Sequence, residues 1–303
     1  MKKIGIVTVL YNSNNLLSDF FSSIAMQDYA NFTVYLVDNT PSESTRLKIS
    51  ELKDKYYLAN VIHIENTQNV GAAEGNNVGI KQALSDGCNY LILCNNDIYF
   101  SNPRLFSTLI FKAETKHLQI IAPKIYFANS NKIWYAGGGI IDWKAAVIHY
   151  GNGKVDNPHF NLSGPTGYAP TTFVLLNARV FNDVPMLDST YFIYTEDLDF
   201  MFIAKAKGHT IWYDANIFIY HKESSTTGGV FSNIGLFYNA RNRIYFARKF
   251  YPKTKKIIAI GYVIVSMLYH AFRQKRINAI MSVSRGFFQG LLLRVSKEKL
   301  PQL

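Results

Sequence analysis

Residues Tyr90–Asp97 read YLILCNND: five apolar, strand-prone residues, then two asparagines and an aspartate. A short apolar run closed by turn residues is the pattern of a strand buried on both faces. Three similar runs lie upstream, at Ile4–Leu10, at Thr33–Val37 closed by Asp38-Asn39, and at Asn60–Glu65. Between them come helical repeats. Leu16, Leu17, Phe20, Phe21 and Ile24 form the first, with Asn12 or Ser13 as its N-cap. Pro41 opens the second, which carries Leu47, Ile49 and Leu52, and Gly71 opens the third, which runs to about Leu84. The resulting βαβαβαβ series predicts an α/β fold whose first third is a parallel sheet with helices on both faces.

Downstream the pattern becomes mixed. A helix to about Lys116 is followed by short strands and glycine-rich turns, a helix from Glu196 to Gly208, and short strands to His221. After Ser232 the chain reads as two or three helices, broken near Pro252 and around Arg273–Arg276. The expected division is therefore a catalytic-type domain over 1–230 and a helical region over 231–303.

The 303 residues are 48% hydrophobic, which predicts a sizeable core and argues against disorder. Cys88 and Cys94, the two cysteines, both lie in or beside one apolar stretch and read as buried hydrophobes in a reducing compartment. The apolar run at the start is too short for a signal peptide. Fourteen of the 32 basic residues, but one of the 21 acidic ones, lie from Arg241 onward, so this segment carries +13 and the remainder −2. A basic, apolar, aromatic tail reads first as a membrane-surface element. No recognition motif supports nucleic-acid binding. The run Ile257–Phe272 is short for a span; it reads either as an interfacial helix or as one packed on the catalytic domain.

Ligands of a parallel α/β sheet bind beyond the carboxyl ends of its strands. Polar residues cluster there: Thr8, Tyr11 and Asn12 after the first strand, Asp38 after the second, Asn95, Asn96 and Asp97 after the fourth. Asp38 is suited to a pyrimidine N–H or a ribose hydroxyl. Asp97 offers a hard oxygen to Mg²⁺ or Mn²⁺ that a diphosphate would complete. The segment Asn69–Gly79, NVGAAEGNNVG, opens a helix whose N-terminus favours negative charge, and Gly71 and Gly75 allow either backbone approach or close helix–sheet packing. Glu196, Asp197 and Asp199 crowd one helix start, where a carboxylate stays ionised and can serve as a general base; spacing does not say which one. His221 closes a strand before the polar run 222–229, a good position for a ligand or a phosphate contact. Tyr238 and Arg241 share a helix face, to meet diphosphate, acceptor or acidic lipid.

Taken in order, VTVLYNS, LVDN, NVGAAEGNNVGI, LILCNNDI, GYAPTTFVLLNARVF, YFIYTEDLDF, the strand-ending His221 and FYNARNRIYFARKF make the chain resemble the family 2 GT-A glycosyltransferases, especially their rhamnosyltransferase-like branch. That resemblance covers Ile4 to about Phe250. It implies a GT-A fold, with a nucleotide-binding, mostly parallel sheet, a mixed second half and a C-terminal helical extension. It also implies a nucleotide-sugar donor bound by Thr8, Tyr11, Asn12, Asp38, Asn69, Gly71, Asn96 and Asp97. Mn²⁺ or Mg²⁺ would be held by Asp97 and His221, and Asp197 would be the catalytic base beside Glu196. Asn95 stands where the family's Asp-x-Asp has its first acid, and Ile203 where relatives often carry Arg. The implied activity is inverting hexosyl or deoxyhexosyl transfer, from dTDP-rhamnose or a UDP-sugar to a glycan acceptor on a lipid carrier. The expected location is cytoplasmic, peripheral on the inner face of the plasma membrane. A catalytically inactive glycan- or membrane-binding paralogue is the alternative, but Asp97 and Asp197 are both present. A sugar-1-phosphate nucleotidyltransferase would need a basic glycine-rich loop after the first strand, which VTVLYNSNN lacks.

Overall fold

A computed structural model describes residues 1–222, 229, 231–273 and 275–295. The four expected strands are β1 (Ile4–Leu10), β2 (Phe32–Asp38), β3 (Val61–Glu65) and β4 (Tyr90–Cys94), and every residue of β4 is buried. They pair in parallel in the order β4-β1-β2-β3, with Leu10 opposite Asp38, so their carboxyl ends form one edge. Helices α1 (Leu17–Ala25), α2 (Glu43–Tyr56) and α3 (Gly71–Ser85) make the crossovers. Within α3, Gly75 has the packing role: a Cβ there would come 2.9 Å from the Val9 side chain of β1.

The second half adds β5 (Ile98–Tyr99), α4 (Leu105–Thr115) and β6 (Ile120–Phe127). Short strands β7 (Ile133–Tyr135), β8 (Gly138–Ile141), β9 (Ala146–His149) and β10 (Gly164–Pro165) follow, then β11 (Phe173–Asn177). The last elements of the domain are α5 (Glu196–Ala206) and β12 (Ile211–His221). β11 is antiparallel to both β4 and β6, and β6 runs parallel to β12, which extends the sheet as β10-β12-β6-β11-β4. The short strands expected before His221 are instead one 11-residue strand, β12, whose register shifts between Asp214 and Phe218.

Among the described residues three helices follow the sheet: α6 (Asn233–Phe250), α7 (Lys253–Arg273) and α8 (Ile277–Leu292). α6 joins the main core through Tyr245, Phe246 and Ala247. Its other face meets α7 and α8 in a small second core of Leu236, Ala240, Ile244, Val263, Met267 and Val283 with neighbouring alanines. Among the described residues α7 is long and apolar enough to cross a bilayer by length and composition, and 22% of that stretch is buried in the protein.

Candidate active site

The carboxyl edge of β1, β2 and β4 gathers the first group of expected residues. Asp38 is buried; its Oδ1 accepts the Thr40 N–H at 2.9 Å and its Oδ2 lies 3.2 Å from His63 Nε2. Thr8 is buried with no hydrogen-bond partner for Oγ1 among the described residues. Asn12 takes a left-handed backbone (φ 48°) and its N–H donates to Thr40 Oγ1 at 2.9 Å, while Tyr11 is exposed beside it. Asn96 Nδ2 donates to Ser13 Oγ at 2.6 Å, tying the turn after β4 to the turn after β1.

The start of α3 differs from the anion-binding reading. The N–H groups of Ala72 and Ala73 donate to the carbonyl of Phe192, at 2.6 and 3.3 Å, so a protein oxygen already caps this helix. Asn69 Oδ1 accepts the Gly71 N–H at 2.9 Å. Gly71 has φ +83° and a Cβ there would collide with the Phe192 carbonyl, which accounts for glycine at this position. The loop before α5, distant in sequence, folds over the helix end that sequence reasoning treats as open.

His221 ends β12 and pairs with Ile98 of β5, which brings it across from Asp97. Its Nε2 lies 3.2 Å from Asp97 Oδ1. Two ligands about 2.1 Å from one ion and at right angles to each other lie about 3 Å apart, so this spacing suits a shared divalent cation. Buried His221 Nδ1 has no hydrogen-bond partner among the described residues. A hard carboxylate oxygen plus an imidazole can serve a divalent cation that takes its remaining positions from other ligands. No group of three ligating side chains occurs among the described residues, consistent with asparagine at position 95. Residues 223–228 of the polar run after His221 lie outside the described residues.

The first turn of α5 holds the acids. Glu196, Asp197 and Asp199 are not equivalent. Asp199 is buried and belongs to a structural ion network: Lys249 Nζ lies 2.9 Å from it and 2.8 Å from Asp188, and Tyr191 donates to it at 2.8 Å. Burial pushes Asp199 up to about 6, and Lys249 opposes that shift. Asp197 accepts a hydrogen bond from the Tyr168 hydroxyl at Oδ2 and from the Leu198 N–H at Oδ1, 2.7 Å. Burial raises its pKa and these donors pull it back. Glu196 is buried with no partner for Oε2 among the described residues; burial and the adjacent Asp197 push it up to about 8. The environments therefore separate two adjacent carboxyls into one that holds its proton and one that donors favour as the anion.

An aromatic path joins the acids to the Asp97–His221 pair. The Trp134 ring packs edge-on to His221 at 4.8 Å and to His149 at 4.5 Å. His149 stacks on Tyr168 at 5.6 Å, and Tyr168 reaches Asp197. Burial lowers the His149 pKa to about 4, so this link is neutral.

Phe192, Tyr194 and Thr195, just before the acids, have φ of 64°, 65° and 76°. Such conformations cost on the order of 1–3 kcal/mol each in non-glycine residues. Arg241 bears on this loop from α6. Its Nη2 donates to the carbonyls of Thr190 and Tyr191 at 2.6 and 2.7 Å, and its Nε donates to Asn242 Oδ1 at 2.8 Å. Tyr238 stacks on Phe192 at 5.2 Å and lies under the Arg241 guanidinium. Ile203 is buried in the core. Sequence reasoning missed Tyr168, Asn242 and Lys249. Tyr168 sits inside the quoted segment GYAPTTFVLLNARVF, and Asn242 and Lys249 inside FYNARNRIYFARKF, which is the one signal that pointed to them.

Comparison with known proteins shows the family and the fold. The family model described as Glycosyl transferase family 2 matches residues 5–184. Agl10, a low-salt glycan biosynthesis hexosyltransferase of Haloferax volcanii, is 22% identical across 97% of this chain and 92% of its own. The fold is similar to that of S. aureus TarS residues 1–349 in complex with UDP-GlcNAc (TM-score 0.60, 15% identity, 95% of this chain and 81% of that one). It is also similar to the mannosyltransferase PcManGT of Pyrobaculum calidifontis in complex with GDP-Man and Mn²⁺ (TM-score 0.57, 9% identity, 97% and 76%). The match extends over more than half of the chain, and the mostly parallel sheet flanked by helices matches the GT-A neighbours. The chain belongs to glycosyl transferase family 2, as a glycosyltransferase of the GT-A fold.

Proposed function

We propose that this glycosyltransferase moves a hexose or deoxyhexose, from dTDP-rhamnose or a UDP-sugar, to a hydroxyl of a glycan on a lipid carrier, with inversion, in the synthesis of a bacterial surface polysaccharide. The aromatic path from Asp97–His221 through Trp134, His149 and Tyr168 to Asp197 carries the reading, because it connects the proposed donor end to the proposed base end by direct contacts. At the donor end, Asp38 suits the nucleoside, and Thr8, Tyr11, Asn12, Asn69, Gly71 and Asn96 line or support the strand edge. Asp97 and His221 would hold Mn²⁺ or Mg²⁺, which would supply Lewis-acid stabilisation of the departing diphosphate. At the base end, Asp197 takes the proton of the acceptor hydroxyl while that oxygen attacks the anomeric carbon. The bond from that carbon to the diphosphate oxygen breaks and its electron pair leaves with the diphosphate. Tyr168 keeps Asp197 ionised for this step, and protonated Glu196 avoids placing a second charge beside it. The single carboxylate base at Asp197 supports single displacement, and with it inversion.

The acceptor class is inferred from the C-terminal helices. Ile257, Val265, Phe272, Met281, Phe288 and Leu292 are exposed on α7 and α8 among basic residues, which suits the anionic inner face of a plasma membrane where lipid-linked glycans reside.

The deciding experiment is nucleoside diphosphate release from dTDP-, UDP- and GDP-sugars with Mn²⁺ or Mg²⁺, wild type beside Asp197→Asn. Slow metal-dependent release from one donor, lost in the variant while nucleotide still binds, is the expected result. Equal release by both proteins would remove Asp197 as base. Silence and absence of donor binding, with lipid-linked acceptors added, would favour the inactive paralogue.

A further inference from the structure

We propose that Asn242 and Arg241 of α6 are positioning residues for sugar transfer, holding the strained loop 190–195 that presents Glu196 and Asp197. Asn242 is fully buried. Its Nδ2 donates to the carbonyls of Tyr191, Ile193 and Tyr194, at 3.0, 2.8 and 2.7 Å. The orientation of this amide is fixed, because its Oδ1 accepts from Arg241 Nε, which can only donate. Arg241 Nη2 takes the carbonyls of Thr190 and Tyr191. Two adjacent side chains of one helix thus gather four carbonyls of a six-residue loop.

Three of the four residues before Glu196 lie at positive φ. A loop in that state persists only where its surroundings over-determine it. The same loop delivers the Phe192 carbonyl to the first N–H groups of α3, so its shape sets both the acid pair and one end of the donor edge. Without the Asn242 N–H groups, the Ile193 and Tyr194 carbonyls lose these hydrogen bonds, Tyr191 keeps only Arg241 of the two α6 side chains, and the peptide units can turn toward extended conformations. Asp197 would then move away from the acceptor hydroxyl. Lys249, with Asp188 and Asp199, anchors both ends of the segment independently of Asn242, so the domain can stay folded while the loop relaxes.

The inference rests on Asp197 being the base, and the test separates the two. Full-length wild type, Asp197→Asn, Asn242→Ala, Thr195→Gly and the Asn242→Ala/Thr195→Gly double variant are compared. One readout is amide hydrogen exchange over residues 70–76 and 188–196. The other is turnover of UDP-glucose and dTDP-rhamnose with Mn²⁺. Asn242→Ala is expected to speed exchange at both segments by about 10-fold or more while β1 and β4 stay protected. It should lower kcat by roughly 30–300-fold with donor KM held within about 3-fold. Thr195 makes no side-chain cap bond, and glycine accepts positive φ without strain, so Thr195→Gly relieves strain in the loop, and its own kcat is the reference for the double variant. In the double variant it should recover about 10-fold of the lost kcat, because less holding is then needed.

A rise in KM equal to the fall in kcat, or no rescue by glycine, would reduce Asn242 to a structural role and overturn the proposal. So would unchanged exchange at 70–76, a result that needs no active donor. If Asn242→Ala fails to fold, Arg241→Lys, which keeps the charge but loses the Nε bond, takes its place. A loss of about 5-fold or more in kcat at constant KM is then expected, and no loss overturns the proposal. Retained turnover in Asp197→Asn would remove the base assignment, whereas an inactive Asp197→Asn beside a fully active Asn242→Ala would remove the positioning role alone.

Discussion

The hydroxyl of Tyr168 donates a hydrogen bond to Oδ2 of Asp197, and no part of Tyr168 is free to do otherwise: its ring stacks on His149 and its carbonyl accepts from Tyr135 at 2.7 Å. A donor aimed at a carboxylate favours the ionised form. Tyr168→Phe deletes it and leaves burial and the neighbouring Glu196 to raise the Asp197 pKa; His149 is neutral and offers no compensation. A hydrogen bond to a charged group contributes about 1.5–3 kcal/mol, so kcat at pH 7 should fall roughly 10–100-fold and recover as pH rises. Nucleotide affinity should hold. A pH profile superimposable on that of wild type would detach Tyr168 from the base.

Glu196 gives a stability prediction with a definite sign. Its pKa rises from 4.5 to about 8 in the folded protein through burial and the proximity of Asp197. Between those values the folded state keeps a proton that the unfolded chain releases, so stability is lost as pH rises through the window. Asp197, also raised, acts in the same direction. Glu196→Gln removes the titration. The variant should match wild type near pH 4.5 and exceed it by roughly 1–4 kcal/mol at pH 8 in denaturant unfolding. Parallel curves across that range would mean Glu196 is ionised at little cost.

The parallel half of the fold was readable because strands such as Tyr90–Cys94 are apolar throughout and their polar ends share one edge. Asp38, Asp97, Asp197 and His221 follow from that edge and from the resemblance. The first helix was placed too early. Asn12 and Ser13 look like caps, but Asn12 lies at positive φ with its N–H on Thr40 Oγ1, and Ser13 accepts from Tyr11 and Asn96. Those caps are used for tertiary links, and α1 begins at Leu17 without one. Asn242 was invisible for the opposite reason. A polar residue mid-helix reads as surface, and the three carbonyls that explain it lie about 50 residues away. Asp199 looked like part of the acid cluster because its partner, Lys249, is equally distant.

Lys249 makes the energetic weight of that distant contact testable. Its ammonium is 3% exposed and serves two carboxylates, one of them 2% exposed. Removing one partner of a buried pair leaves an uncompensated charge and costs about 3–5 kcal/mol. Lys249→Met should be destabilised by that amount. Adding Asp199→Asn to Lys249→Met should recover part of the loss, since a neutral amide no longer needs the ammonium and still accepts from Tyr191. Additive losses in the double variant would show that the two groups are not coupled.

The outer faces of α7 and α8 allow the last prediction. Inward, α7 places Ala259 in the main core and Val263, Met267 and Ala271, at four-residue intervals after it, against α6 and α8, and outward it exposes Val265, Tyr269 and Phe272. α8 repeats the division, with Ala279 and Val283 inside and Met281, Phe288 and Leu292 outside. Exposed Lys253, Arg273, Arg276 and Arg285 accompany these apolar residues. A helix whose inner stripe is held by protein can lie in the headgroup region without leaving its partners, whereas crossing the bilayer would pull that stripe away. Wild type should therefore bind phosphatidylglycerol vesicles, bind phosphatidylcholine weakly, and be released by high salt or carbonate. Val265→Ser with Phe288→Ser removes two side chains each contributing about 1.5–3 kcal/mol when buried, so partitioning should fall roughly 100-fold or more. Donor turnover in solution should not change, because neither residue touches the site. Resistance of wild type to carbonate would make α7 a span. Failure to bind either vesicle would give this face a protein partner instead of a membrane.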